Sequence, residues 1–86
     1  MNKTVKKKIG QAPPFPGVYL FKGQKNRIIY IGKASNLRNR LTSYLNSTLM
    51  NLAVDVDTIV TNSDVEALTL EESLIKMHKP KYNIRL

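Results

Sequence analysis

Two short apolar runs separated by a polar loop constrain the fold of this chain most strongly. Val18 to Phe21 and Arg27 to Ile31 are rich in β-branched and aromatic residues, which favour strands. The segment between them, Lys22 to Asn26, is polar and contains a glycine, as hairpin loops often do. We therefore predict an antiparallel hairpin whose second strand ends at Gly32. Three prolines between Ala12 and Gly17 form a rigid, non-helical lead-in to it.

A long helix is predicted near the end of the chain. Ser63 and Glu66 have the spacing of a capping box, and Pro80 stops the helix, so it should end at about His78. The tail from Lys81 is predicted to be extended. Further predicted elements are a helix at Thr4 to Ile9, a helix capped by Asn36, a short helix within Asn46 to Asp57, and a strand at Asp57 to Thr61. This order indicates an α+β fold with a small sheet.

The length of 86 residues fits one domain, with a core at about residues 13–83 and a basic N-terminal segment at 1–12. Hydrophobic residues make up 42% of the chain, enough for a core. The absence of cysteine excludes disulfides and thiolate metal sites. The apolar runs are too short to cross a membrane and no signal peptide is evident, so we expect a cytoplasmic location.

The net charge of +8 points to a polyanionic partner, most often nucleic acid. A ribosomal-type or merely soluble basic protein is the alternative. The charges are also segregated, because all six acidic residues lie between Asp55 and Glu72 while Asn46 to Leu74 holds no lysine or arginine. This distribution predicts a basic face and a separate acidic element.

Glu71 is the acidic residue whose position most needs an explanation. On a helical wheel it lies in the middle of an apolar arc, whereas Glu72 points towards solvent. The arc consists of Ala67, Leu68, Leu70, Leu74, Ile75 and Met77. A carboxylate facing a core is costly unless a cation or hydrogen-bond donors meet it. Glu71 is therefore a metal ligand, a general base, a partner in a salt bridge, or part of a half-covered helix face.

Several kinds of site are excluded by what the chain lacks. His78 is its one histidine, so paired-histidine chemistry is excluded, and His78 is read as structural or solvent-facing. Two-metal nucleases need several clustered carboxylates, but only Glu71 is aimed inward. No serine has the surroundings of a nucleophile elbow.

Two tyrosines and two arginines are further candidates. Tyr19 and Tyr30 can lie on adjacent strands of the hairpin, where packing against each other is the simpler interpretation. Arg38 and Arg40 flank an apolar stripe on the predicted second helix. The stripe consists of Leu37, Leu41, Tyr44 and Leu45. An arginine at such a border is either a surface residue or is aimed at a phosphate, which its planar fork suits.

The order of several motifs resembles the GIY-YIG nuclease family over Pro13 to Asn83. These motifs are Pro16 to Phe21, Ile29 to Ala34, Asn36 to Leu41 with Ser43 and Tyr44, Asp64 to Leu68, Leu70 with Glu71, Leu74 to Lys76, and Lys79 to Asn83. The closing motifs favour UvrC-type members over homing endonucleases and restriction enzymes. The resemblance implies a small three-stranded antiparallel sheet flanked by helices. It also implies hydrolysis of DNA phosphodiester bonds with a single divalent cation, Mg²⁺ or Mn²⁺.

The resemblance also implies roles for particular side chains. Glu71 is expected to be the sole protein ligand of the cation. Tyr19 and Tyr30 are expected to line the site, one of them as the general base; we prefer Tyr19, with Tyr30 positioning it, and the reverse stays open. Arg40 is expected to stabilise the charge that develops on the phosphorus centre.

The remaining expected roles concern support and DNA contact. Lys33 is expected to contact phosphate and to lower the pKa of the base tyrosine, together with Arg40. Asn83 is expected to orient the site. The residues expected to bind DNA are Lys33, Arg38, Arg40, Lys76, Lys79 and Lys81.

The UvrC-type resemblance implies the 3′-side incision of nucleotide excision repair, with DNA and UvrB as partners, UvrA acting upstream, and no small-molecule substrate. A stand-alone nuclease with another role needs the same residues and stays open as an alternative. A non-catalytic nucleic-acid-binding module is the other alternative, although the presence of every expected site residue counts against it. One departure from the family pattern is the segment Asn46 to Asp57, which is short and holds no basic residue.

Overall fold

Three antiparallel strands form one sheet in the computed structural model, which describes residues 2–83. The strands are β1 (Gly17–Lys22), β2 (Ile28–Ala34) and β3 (Asp55–Val60). β1 lies between the other two and pairs antiparallel with both. The predicted hairpin is the β1–β2 pair, and the α+β fold with a three-stranded antiparallel sheet is confirmed.

Four α-helices of the described residues surround this sheet, and polar side chains cap three of them. The helices are α1 (Lys3–Gly10), α2 (Leu37–Thr42), α3 (Thr48–Leu52) and α4 (Asp64–His78), and the capped ones are α1, α2 and α4. Asn36 accepts a hydrogen bond from the Asn39 amide at 3.1 Å, and Ser63 accepts one from the Glu66 amide at 3.1 Å. These bonds satisfy amides that a first helical turn leaves free, so both predicted caps are confirmed. Within residues 2–83, no helix has the length and apolar character of a membrane span.

Three predicted boundaries are wrong. The third strand lies at Asp55–Val60 and not at Asp57 to Thr61, because it pairs with the whole length of β1. β2 does not end at Gly32 but continues to Ala34, because Gly17 and Val18 of β1 extend the ladder opposite it. After Pro80 the chain is not extended, since Lys81–Asn83 forms a short 3-10 turn. The rest of the predicted tail, residues 84–86, lies outside the described part of the chain.

The central strand is buried on both faces, and this decides where the tyrosines lie. Tyr19 and Phe21 face the cluster formed with α1, α2 and α3, while Val18 and Leu20 face α4. Side chains directly opposite in a ladder share a face, and Tyr30 on β2 lies opposite Phe21. Tyr19 and Tyr30 are therefore on the same face of the sheet.

The expected separate acidic element is found only in part, because four of the six acidic residues lie on α4 and the other two lie on β3. Asp55 and Asp57 on β3 are paired with lysines of α1 and β1, because these elements pack beside that strand. The Lys8 ammonium lies 2.7 Å from Asp55, and the Lys22 ammonium lies 2.6 Å from Asp57. The hydrogen bond from Lys8 holds the pKa of the Asp55 carboxyl below its usual value. Both carboxylates are thus occupied in structural ion pairs.

Candidate active site

Three tyrosines meet on the face of the sheet that carries α2. The ring centroids of Tyr19 and Tyr30 are 6.3 Å apart, and Tyr44 lies 5.6 Å from Tyr19 and 6.3 Å from Tyr30. The hydroxyl groups of Tyr19 and Tyr44 are 2.8 Å apart and hydrogen-bonded. The structure therefore brings the two predicted tyrosines together and adds a third.

Tyr44 is the member of this cluster that sequence reasoning missed as a site residue. The sequence assigns it to the apolar stripe of α2, but α2 ends at Thr42 and the following turns carry Tyr44 onto the cluster. One signal for it is present in the sequence. Tyr44 follows Arg40 by one helical turn, a spacing that places two side chains on the same side of a helix.

Gly32 provides the space in which the Tyr19 ring lies. The two residues are directly opposite each other in the β1–β2 ladder. A side chain at Gly32 would overlap the ring carbon and the hydroxyl of Tyr19. The glycine is thus required by a neighbouring aromatic ring and not by an unusual backbone angle, since no glycine among the described residues has a positive φ.

Burial raises the pKa of Tyr19 and Tyr30 and outweighs the lowering by Arg40 that the resemblance implies. Tyr19 is 1% exposed, and loss of solvent raises its pKa although hydrogen bonding to Tyr44 and the nearby Arg40 guanidinium oppose the change. Burial, the neighbouring Tyr44 hydroxyl and the Glu71 carboxylate raise the pKa of Tyr30 to about 12. Arg40 lowers the pKa of Tyr30, as expected, but does not outweigh burial.

Arg40 lies beside the tyrosine cluster, and the side chains of Arg40 and Lys33 are both exposed. They line one side of an open pocket of about 470 Å³ whose other walls are polar. The pocket is completed by Ala34, Ser35, Asn36, Asn39 and Ser43. Two cations, hydroxyl groups and amides on an open surface suit a phosphate, which accepts charge-assisted hydrogen bonds.

Glu71 lies next to Tyr30 in a second pocket, separate from the pocket of Arg40 and Lys33. Its side chain is half-buried in a pocket of about 430 Å³ that Tyr30, Ile31, Ile75, Tyr82 and Asn83 also line. The ion pairs within residues 2–83 involve Asp55 and Asp57 only, so none of them neutralises Glu71. Glu72 is exposed, as predicted. The salt-bridge interpretation of Glu71 therefore has no support in the described residues.

The apolar arc around Glu71 is only partly covered. Ala67 is buried, and Leu70, Leu74 and Ile75 are half-buried against the sheet, but Leu68 and Met77 are exposed. Glu71 consequently lies at the border of the packed face of α4 and not in a core, so its carboxylate keeps access to solvent. A carboxylate in this position can bind a cation that remains partly hydrated.

The donors present fit a hard divalent cation that keeps most of its water. No group of three or more histidine, cysteine or acidic side chains comes together in residues 2–83, and His78 is exposed. Glu71 is thus the one carboxylate available beside Tyr30. Mg²⁺ is commonly bound by one or two carboxylates together with water and substrate phosphates. This single half-buried carboxylate, with oxygen donors as neighbours, matches that mode of binding.

Asn83 holds the free edge of β2. Its Oδ1 accepts a hydrogen bond from the Ile31 amide at 2.7 Å, and its Nδ2 donates one to the Ile31 carbonyl at 2.8 Å. β2 is an edge strand, so Asn83 takes the place of a further strand at that residue. Because Ile31 follows Tyr30, these bonds fix the backbone beside the tyrosine.

The other residues expected to bind DNA are distributed over two regions. Arg38 donates its Nε to the Ala12 carbonyl at 2.8 Å and so tethers α2 to the segment after α1. Lys76, Lys79 and Lys81 are exposed at or just after the end of α4, and Lys81 lines a pocket together with Tyr82. Lys79 ends the helix in a left-handed conformation, with φ of 44°. DNA contact by these four residues stays a prediction.

Comparison with known proteins identifies the family. The model of the UvrC-like GIY-YIG domain matches residues 15–84. The chain belongs to the UvrC-like GIY-YIG family. In an alignment of 93 residues it is 47% identical to the UvrABC system protein C of Streptococcus gordonii. The alignment covers 100% of this chain and 15% of that protein. It is 44% identical to the corresponding Pelodictyon phaeoclathratiforme protein over 94 residues, which cover 99% of this chain and 15% of that protein.

A solved member of the UvrC-like GIY-YIG family has the same fold. The GIY-YIG N-terminal endonuclease domain of UvrC from Thermotoga maritima superimposes with a TM-score of 0.91 and 46% sequence identity. The match covers 98% of this chain and 100% of that domain, which was solved bound to its catalytic divalent cation, magnesium. The chain thus matches one complete domain, while it spans about 15% of the length of the curated relatives.

Proposed function

We propose that this domain is a DNA endonuclease that hydrolyses a phosphodiester bond with one divalent cation held at Glu71. The observation that carries the proposal is the position of Glu71, a half-buried carboxylate without an ion-pair partner in residues 2–83, beside Tyr30. Arg40 lies close to the same tyrosine cluster. Membership of the UvrC-like GIY-YIG family and the magnesium bound to the Thermotoga domain support the same conclusion.

Arg40 binds the phosphate group that is cleaved. Its guanidinium is exposed and lies close to the hydroxyl groups of the cluster. A planar fork of donors can follow a phosphate as negative charge builds up on its non-bridging oxygens. Lys33 lines the same pocket and adds a second positive charge towards the DNA backbone. These two residues therefore hold the phosphate against the tyrosines.

Tyr30 is the tyrosine best placed to act as the general base. Tyr19 is 1% exposed and its hydroxyl is hydrogen-bonded to Tyr44, so it has little access to an attacking water molecule. Tyr30 is half-buried and lines the pocket of Glu71. Its hydroxyl oxygen, once ionised, takes a proton from the water that attacks phosphorus as the bond to the leaving oxygen breaks. This assignment reverses the preference expressed from the sequence.

The cation and the supporting residues complete the site. A divalent cation bound at Glu71 supplies positive charge beside the phosphate and favours ionisation of nearby groups. Tyr19 and Tyr44 act as positioning residues, because their hydrogen-bonded rings pack against Tyr30. Asn83 acts in the same way through the backbone of Ile31.

The biological reaction we propose is the 3′-side incision of nucleotide excision repair. The relatives that match the chain are UvrABC system C proteins, of which it spans about 15%. We propose that the domain acts on DNA presented by UvrB, after UvrA has acted. Omission of UvrB from an incision assay on damaged duplex DNA should then abolish 3′-side cleavage by a protein that carries this domain.

Cleavage of bubble-containing plasmid DNA tests the proposed activity. The purified domain is assayed with Mg²⁺ or Mn²⁺, beside Glu71→Ala and the matched control Glu72→Ala on the exposed face of α4. We expect loss of cleavage in Glu71→Ala and retention in Glu72→Ala. If the wild-type domain stays inert beside added UvrB and damaged DNA but still binds DNA, the binding-module alternative replaces this proposal.

A further inference from the structure

Tyr82 lies where three surface pockets meet, and two of them have no role in the proposed reaction. The first is the pocket of Glu71 and Tyr30. The second, here called the apolar recess, has a volume of about 300 Å³ and is lined by Tyr30, Tyr44, Thr48, Leu49, Leu52 and Tyr82. The third, here called the basic cleft, has a volume of about 580 Å³ and carries Lys25, Arg27 and Lys81 beside Tyr82. Tyr82 lines all three.

The lining of the apolar recess suits a flat aromatic ligand. Three of its six lining residues are tyrosines and two are leucines. Tyr82 is 43% exposed, so part of its side chain is accessible to a ligand. The volume of the recess is at the lower end of the roughly 300–1,000 Å³ that is usual for small-molecule pockets. Bases of single-stranded nucleic acids commonly stack on accessible aromatic side chains of this kind.

The charges on either side of the recess match a DNA strand. On one side, Ser43 of the pocket proposed to hold a phosphate directly precedes Tyr44 of the recess. On the other side, the cations of the basic cleft are available for neighbouring phosphates. The Lys81 ammonium also lies 5.5 Å from the centroid of the Tyr82 ring. The surface thus alternates between positive charge, an apolar recess and positive charge, as a strand alternates between phosphate, base and phosphate.

We propose that the apolar recess binds an unpaired nucleobase next to the cleaved phosphodiester bond, with Tyr82 as its stacking platform. The proposal rests on the proposed function, because the cleaved bond defines the position of the base. A base within a duplex cannot reach such a recess without leaving the stack. The domain would therefore select DNA that is locally unpaired at the cleavage site.

Abasic substrates test the recess directly. Bubble-containing oligonucleotides with a mapped cleavage site are prepared with a normal nucleotide, or an abasic analogue, on either side of the cleaved bond. For the wild-type domain we expect the abasic analogue at one of the two positions to slow single-turnover cleavage by about tenfold to a hundredfold. The analogue at the other position should have little effect.

The variants show whether Tyr82 provides the stacking. Tyr82→Ala should cleave the base-containing DNA as slowly as the wild type cleaves the abasic DNA, and it should not distinguish the two. Tyr82→Phe keeps the ring and should behave like the wild type. Phe15→Ala removes an aromatic ring that is 55% exposed and lies outside all three pockets, so it serves as the matched control. Circular dichroism checks that each variant is folded.

The outcomes separate this proposal from the proposed function. If Tyr82→Ala and the abasic analogue act independently, so that their effects multiply, or if Tyr82→Ala has no effect, the recess does not bind a base. If neither the wild type nor any variant cleaves any substrate, the proposed function fails instead.

In that case, binding of DNA to the domain without a divalent cation tests whether the recess binds a base. Fluorescence anisotropy should show weaker binding to a bubble whose unpaired segment is abasic throughout, in the wild type but not in Tyr82→Ala. Equal affinities would overturn the proposal.

Discussion

The ring of Tyr19 lies across Gly32 on the neighbouring strand, so the most buried tyrosine of the site depends on a missing side chain. We expect Gly32→Ala to force the ring aside and to destabilise the domain by about 1–3 kcal/mol, the usual cost of overpacking. Urea unfolding measures this change. Gly10→Ala is the matched control, because nothing lies within 4 Å of a Cβ at that position. If Gly32→Ala is as stable as Gly10→Ala, the packing described for Tyr19 is wrong.

The three tyrosines should differ in their effect on the rate. Tyr30→Phe removes the proposed base, and we expect single-turnover cleavage to fall by about 10²–10⁴-fold. Tyr19→Phe and Tyr44→Phe each remove one end of the hydrogen bond between their hydroxyl groups and should lower the rate less. Equal, modest losses in Tyr19→Phe and Tyr30→Phe would exclude either residue as the base.

Arg40 and Arg38 lie on the same short helix but should affect different properties. Arg40→Ala removes a donor for the phosphate and should lower the cleavage rate by about 10²–10³-fold, with stability nearly unchanged. Arg38→Ala removes the hydrogen bond to the Ala12 carbonyl and should cost about 1 kcal/mol of stability. Rates and urea midpoints of both variants test this contrast. A rate loss in Arg38→Ala as large as that in Arg40→Ala would assign Arg38 to phosphate binding.

The raised pKa of Tyr30 predicts a loss of stability in alkaline solution. In the unfolded chain this tyrosine ionises near its ordinary pKa of 10.0, whereas in the folded domain its pKa is about 12. Below pH 10 the group is neutral in both states. As the pH rises from there to about 12, the unfolded chain releases the proton first, so the free energy of unfolding falls. Thermal unfolding at neutral pH and above pH 10 should show this decrease, and a smaller one in Tyr30→Phe. An equal decrease in both proteins would exclude Tyr30 as its source.

Local patterns were sufficient to predict most of the fold. The hairpin follows from two β-rich runs around a polar loop, and α4 from the cap at Ser63 and the stop at Pro80. The end of β2 could not be predicted from local patterns, because it depends on how far the partner strand β1 extends. The sequence predicts each strand and helix from its own residues, whereas pairing between elements sets where they end.

The sequence predicted which residues form the site better than it predicted how they are arranged. Tyr19, Tyr30, Arg40 and Glu71 surround one region, as the family resemblance implies. Two of its features depend on tertiary structure and were not predicted. Tyr44 reaches the cluster through turns after α2, and burial raises the pKa of the tyrosines although Arg40 lies beside them. The spacing of Arg40 and Tyr44 is a signal for the first feature but does not establish it, and the charges of neighbouring residues contain no information on burial.

The side-chain amide of Asn83 has a consequence beyond the active site. It occupies both the amide and the carbonyl of Ile31 on a strand at the edge of the sheet. Unpaired backbone groups on an edge strand invite pairing with another molecule and can begin aggregation. The residue that fixes the backbone beside Tyr30 therefore also withdraws two backbone groups of the edge strand from pairing with another strand. Replacement of Asn83 would then expose these groups at the sheet edge as well as loosen the backbone beside Tyr30.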